Sequence, residues 1–192
     1  MSDKGYSLLE VLMAMTIMVI VGGAALPLAH ASVDRTRAAG AARYMAGRMA
    51  MARFEAVRRS AHVALRFVQQ PDGYWLQMFV DGNRNGVLTS DIAKGVDIPI
   101  TAREQLAQHF SGVQFGIHPG VTGITPGPFN TADPIQIGSS TLLSFSPNGS
   151  SSSGTVFLHG LRGNQFAVRV LGATGRTRVL EFNFGAGAWL GQ

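Results

Sequence analysis

Residues 5–29 read GYSLLEVLMAMTIMVIVGGAALPLA, and their reading governs the rest of the chain. From Val11 to Ala29 the only clearly polar side chain is Thr16, and Leu8 and Leu9 precede Glu10. As a helix this run is about long enough to cross a hydrocarbon core of ~30 Å. A secretory signal peptide is the competing reading, because the polar start MSDK precedes the run and Ala29 and Ala31 flank His30 as small residues flank a cleavage site. The apolar region of such a signal is usually shorter. Glu10 separates the two readings. A carboxylate inside an apolar helix costs roughly 2.5–3.5 kcal/mol on insertion scales, so it calls for a cationic partner.

Gly5-Tyr6-Ser7-Leu8-Leu9-Glu10-Val11-Leu12 resembles the prepilin motif of type IV pilins and type II secretion pseudopilins. In that family a dedicated peptidase cuts after the glycine and methylates the new N-terminal residue. The resemblance implies a leader of residues 1–5, cleavage after Gly5, Tyr6 as the N-methylated mature N-terminus, and Glu10 as the helix-embedded carboxylate. It further implies that Glu10 pairs with the N-terminal ammonium of a neighbouring subunit, which is the cation its cost demands. The family more often has Phe where Tyr6 stands, so an aromatic ring is retained.

Pro27 either kinks the helix or marks the end of the membrane span, and Gly22-Gly23 loosens the same region. Beyond it, ASVDRTRAAGAARYMAGRMAMARFEAVRRSA (residues 31–61) shows no alternation, while Ala38, Ala41, Met45, Met49, Ala52 and Ala56 recur at three- and four-residue spacing. This is one face of an amphipathic helix. Ser7 to about Arg59 therefore forms a rod of roughly 80 Å, with its small-residue stripe on a sheet and its arginines outward. Those arginines (Arg35, Arg37, Arg43, Arg48, Arg53, Arg58, Arg59) face only Asp34 and Glu55, so the excess of 16 Lys and Arg over 11 Asp and Glu belongs mainly to this neck.

From Ala61 the period changes. AHVALRFVQ and YWLQMFV are strand-like and joined by Gln70-Pro71-Asp72-Gly73, whose Pro-Asp-Gly core signals a turn. Further strands are expected at Val113–Ile117, Thr141–Phe145, Thr155–His159, Gln165–Leu171 and Arg176–Phe184. The Gly- and Pro-rich stretch 119–140 suits an exposed loop joining two sheet portions, and Gly149–Gly154 (GSSSSG) suits a mobile hairpin tip. The expected fold is α+β, a long N-terminal hydrophobic helix packed on a mostly antiparallel β-sheet head. It divides into a leader (1–5), a transmembrane and assembly helix (6–29), its amphipathic continuation (30–60) and a β-rich head (61–192).

Within the head, MARFEAVRRSAHVAL, GYWLQMFVDGNRNGV, SFSPNGSSSSGTVFL and Gly175-Arg176-Thr177-Arg178 resemble segments of the GspH/FimT branch of minor pseudopilins. The resemblance implies a non-catalytic subunit in the bacterial inner membrane, single-pass, with its head in the periplasm. Its implied partners are other pilin or pseudopilin subunits and the prepilin peptidase. Some members of that branch are associated with DNA uptake through the Gly-Arg-x-Arg element. DNA is thus a candidate partner for Arg176 and Arg178, with Arg162 and Arg169 nearby in sequence against only Glu181. On one strand Arg176 and Arg178 share a face about 6–7 Å apart, near the phosphate spacing of a nucleic-acid strand. The alternative is that these arginines form rim ion pairs or keep a sheet face soluble.

The absence of cysteine excludes disulfides, thiolate metal sites and a Cys nucleophile, and leaves the compartment open. The five histidines, His30, His62, His109, His118 and His159, fall at no metal-ligand spacing, and no cofactor motif occurs. Asp81-Gly82-Asn83-Arg84-Asn85-Gly86 matches the first half of a calcium loop, which makes Asp81, Asn83 and Asn85 a weak calcium candidate. The second half fails, with Ile92 where a bidentate Glu belongs and Asp91 one place early, so an Asx-rich turn is the favoured reading. No nucleophile elbow or phosphate loop is present, and an exported enzyme would leave Glu10 without a partner.

Overall fold

The structure, a computed structural model, describes residues 5–138 and 140–192, with the side chains of residues 24–29 outside that description. One helix, α1, runs from Leu8 to Arg59. Ser7 caps it: its hydroxyl accepts the Glu10 N–H at 3.2 Å, satisfying one of the donors a helix start leaves free. At the other end Ser60 turns left-handed (φ 50°) and its N–H returns to the carbonyls of Ala56 and Val57. The helix continues through Gly22, Gly23 and Pro27, as both readings of Pro27 expect. The Pro27 ring itself is among the side chains outside the description.

The remaining elements in chain order are β1 (Val63–Gln70), β2 (Gly73–Val80), α2 (Thr89–Ala93), β3 (Ile98–Pro99), β4 (Glu104–Gln105), α3 (Leu106–His109), β5 (Gln114–Phe115), β6 (Ile135–Gln136), β7 (Leu142–Phe145), β8 (Gly154–His159), β9 (Gln165–Leu171), β10 (Arg176–Asn183) and β11 (Ala188–Gly191). They form two sheets. The first has the order β3-β2-β1-β7, with β4 also on β2; the second has the order β11-β10-β9-β8-β5, with β6 also on β8. Every strand pairing is antiparallel. This is the α+β architecture read from the sequence.

The alanine and methionine stripe is what joins α1 to the sheets. Ala38, Ala41, Met45, Met49, Ala52 and Ala56 are all fully buried, with Ala42 beside them. They share one core with Leu65 and Phe67 of β1, Phe145 of β7, Leu158 of β8 and Val168 of β9. Small side chains let the helix axis lie close to the strands, and the flexible methionines fill the gaps that remain. The β1–β2 hairpin turns at Pro71-Asp72, with Gln70 paired to Gly73 as the turn chemistry demands.

Four expectations change in detail. Arg48 does not face outward with the other neck arginines; it lies 2.6 Å from Glu104, both side chains about 15% exposed, because that half-buried carboxylate requires a charge partner. The strand expected over Val113–Ile117 shrinks to Gln114–Phe115, since the His159 ring packs on Gly116 and the His118 N–H goes to the Gln165 side chain instead of a ladder. The stretch 119–140 does join the second sheet to the first, yet it is not simply an exposed loop: it contains β6 and buries Val121, Ile135 and Ile137. Finally, GSSSSG is no free hairpin tip. It crosses from β7 in one sheet to β8 in the other, tied by the Ser151 N–H to the Gly172 carbonyl, the Ser152 N–H to the Ser144 carbonyl and Arg53 Nε to the Gly149 carbonyl.

Candidate functional site

Three regions collect most of the residues singled out above. The first is the start of α1, where Tyr6, Leu8 and Leu9 are 84%, 79% and 69% exposed. The exposed apolar surface continues through Leu12, Met15, Val19 and Val21, a patch that water does not favour and that lipid or other apolar helices would cover. Met1 to Lys4 of the expected leader fall outside the described residues, and Gly5 and Tyr6 lie exposed before the helix. Among the described residues no helix is long and apolar enough to cross a membrane. The expected span falls partly on residues 24–29, whose side chains are not described.

Glu10 sits in the first turn of α1, exposed and without an ion pair among the described residues. The positive end of the helix dipole favours a carboxylate there by about 0.3–1 kcal/mol. A carboxylate at the centre of an apolar span costs more, roughly 2.5–3.5 kcal/mol. The position eases the cost of Glu10 and leaves its carboxylate open to an external cation.

The second region is the outer face of the second sheet, the side turned away from α1. Arg178 on β10 pairs in register with Arg169 on β9, which pairs with Thr155 on β8. Side chains alternate along a strand, so Arg176 shares the face of Arg178, while Glu181 points the other way and holds Arg35 of α1 at 2.7 and 2.8 Å. The Glu181 carboxylate in turn keeps the Arg35 guanidinium protonated above its usual range, chiefly through these hydrogen bonds. Beside the arginines, Phe157, Phe182, Trp189 and Phe129 form an aromatic cluster with centroids 5.2–5.7 Å apart, closed by Trp189 Nε1 donating to the Thr122 carbonyl.

Arg162 is not part of this group. It lies in the β8–β9 turn, at the opposite end of β9 from Arg176, with about 20 Å of strand between them. The sequence did not suggest Arg53 as a neighbour, yet it lines a groove of about 470 Å³ together with Phe54, Val57, Gly175 and Arg176. Gly175 is required here: its φ is +60°, and a Cβ would run into the Gly149 carbonyl and the Arg53 side chain.

The Asp81 turn uses its polar groups internally. Asp81, only 7% exposed, accepts N–H groups from Asn83, Arg84 and Gly86 at 3.0, 2.7 and 2.7 Å. Asn83 and Asn85 donate their side-chain amides to Asp91 at 3.1 and 2.9 Å, and these two bonds hold the Asp91 carboxyl below its ordinary range. Asp97 closes the loop by accepting from Gly82 and Leu88. Among the described residues no group of three or more His, Asp or Glu is placed to hold a metal ion.

Comparison with known families decides between pilin-like and unrelated anchored proteins. The family described as "Type II transport protein GspH" matches residues 41–175, and the "Prokaryotic N-terminal methylation motif" matches residues 1–26. The chain belongs to the GspH family. The family match spans the last third or so of α1 and every strand through β9, including the Asp81 turn and Gly175 of the Arg53 groove. The "Pilin-like protein PilA1" of Thermus thermophilus is 42% identical over 86 residues, 44% of this chain and 53% of the relative. The chain thus spans about half the length of the curated relative it matches. No solved structure matches this GspH-family chain.

Proposed function

We propose that the chain is a minor pseudopilin, a non-catalytic structural subunit of a type IV pilus or a type II secretion system. In this reading the prepilin peptidase cuts after Gly5 and methylates Tyr6. Residues 6–29 then hold the protein in the bacterial inner membrane with residues 61–192 in the periplasm, and Glu10 pairs with the N-terminal ammonium of a neighbouring subunit. The observation that carries it is Glu10 itself: a first-turn carboxylate on an exposed apolar helix start, inside a match to the methylation motif, where a neighbouring cation would offset the cost of the charge. Mass spectrometry of the membrane-extracted protein tests it. An N-terminus at methylated Tyr6 is expected, and a start near Ser32 would overturn it.

A second reading is favoured by the row of Arg178 and Arg169, beside Arg176 and without acidic partners among the described residues. Such a face suits the phosphates of DNA taken up in natural transformation. The protein should then shift duplex DNA in a gel, lose affinity steeply as salt rises, and lose the shift when Arg176 and Arg178 become Gln. Binding insensitive to salt, or none at low salt, would end this reading.

A further inference from the structure

The end of the head nearest the expected span carries an exposed apolar rim that the core does not use. In the β8–β9 turn Leu161 is 71% exposed, with Arg162 exposed beside it. This turn is fixed to the helix: the N–H groups of Leu161 and Arg162 and the Asn164 side-chain amide donate to Asp34 at 2.9, 3.0 and 2.9 Å. Val33, the helix residue before Asp34, and Phe184, just past β10, are each 47% exposed. The nearby acids are occupied, Asp34 by those donors and Glu181 by Arg35 and Gln192. Arg37 and Arg162 have no ion pair among the described residues.

Depth follows from helix geometry. From Ala29 to Asp34 the helix rises about 7–8 Å, and each headgroup layer outside the hydrocarbon core is about 5–8 Å thick. The turn held by Asp34 therefore lies at the outer edge of the headgroups, and an ordinary membrane-helix tilt of about 20° lowers one side of the head into them.

We propose that this rim, Leu161 and Arg162 flanked by Val33, Arg37 and Phe184, rests on a membrane surface rich in anionic phospholipid. The apolar side chains enter the interface and the arginines meet lipid phosphates. The inference rests on reading residues 6–29 as a membrane span. It adds that the head of the unassembled subunit is seated on the bilayer, so that drawing the subunit into a filament first lifts it off.

The chain has no cysteine, so single-cysteine variants of the full chain carry one label each. A fluorophore is placed at Ile20→Cys, Leu161→Cys or Ala173→Cys, the last in the β9–β10 turn at the far end of the second sheet. The proteins are reconstituted in vesicles with or without phosphatidylglycerol, each containing a headgroup-spin-labelled lipid as quencher. Position 161 is expected to be quenched several-fold more than position 173 when the anionic lipid is present. Adding Arg162→Gln should weaken that contact about fivefold, the share of one arginine at an anionic surface. Equal quenching at 161 and 173 with position 20 embedded, or quenching at 161 that ignores the anionic lipid or Arg162→Gln, overturns the rim. If position 20 is not embedded, the membrane-span reading falls and the rim falls with it.

Discussion

Arg178 of β10 stands directly opposite Arg169 of β9, like charge facing like charge across a ladder whose other β9 residues are mostly buried. Directly opposed like charges destabilise a sheet by up to about 1 kcal/mol. Arg178→Gln should therefore raise the urea midpoint by an amount equivalent to a few tenths of a kcal/mol, and less in high salt. If the same variant also loses its DNA gel shift, stability and binding have moved in opposite directions. An unchanged or lower midpoint would mean the two side chains splay apart enough not to repel.

Asp34 is the acceptor for three donors of the β8–β9 turn. Asp34→Ala orphans all three, and we expect a loss of about 2–3 kcal/mol, read by urea unfolding of the detergent-solubilised chain through tryptophan fluorescence. Asp34→Asn, which keeps an acceptor oxygen, should lose less. Arg37→Ala, one turn away and exposed, should lie within about 0.5 kcal/mol of the parent.

The stripe of α1 predicts a sharp contrast between neighbouring methionines. Met49 is fully buried and Met51 is 44% exposed. Met49→Ala should cost about 2–5 kcal/mol and Met51→Ala under about 0.5 kcal/mol. Ala41→Leu should overpack the helix–sheet contact by about 1–3 kcal/mol. Matched urea titrations of the three variants check the order.

The Asp81 turn makes the head acid-sensitive. The Asp91 carboxyl is held low by the Asn85 and Asn83 amides, so the unfolded chain takes up its proton first as pH falls. The stability it adds is complete above the ordinary aspartate pKa of about 4 and is lost as pH falls through the lowered folded value. Asp91→Asn should flatten the acid limb of a Tm-versus-pH curve; an unchanged limb would contradict this assignment.

The same turn bears on the calcium candidate. With Asp81 accepting three backbone N–H groups and Asn83 and Asn85 committed to Asp91, isothermal titration with calcium is expected to show millimolar affinity or none. Micromolar affinity would require the loop to refold around the ion.

What the sequence revealed was local. The α1 stripe and the β1–β2 hairpin are periodic patterns within a few residues of one another, and both are found where their spacing put them. Asp34, Tyr44 and Gln165 were not legible, because their partners stand 127 to 130, 60 and 47 to 49 residues away. Two-residue strands such as β3, β4 and β6 are too short to show a period. Arg162 illustrates the reverse error, since closeness in sequence to Arg169 grouped it with a face from which the direction of β9 removes it. The Ser-rich run misled because exposed tips and sheet-to-sheet crossings share one composition; only the Gly172, Ser144 and Arg53 bonds distinguish them.

Because α1 runs from its exposed apolar start straight on into the core, the head has no other link to that start than the helix itself. A pull on its N-terminal end meets the head first at its lowest attachments, Asp34 on the 160–164 turn and Arg35 on Glu181. Those two clamps come before the buried alanines and methionines along the line of that pull. They set the order in which the head would come apart, and they are where a subunit hauled out of a bilayer would show its weakest grip.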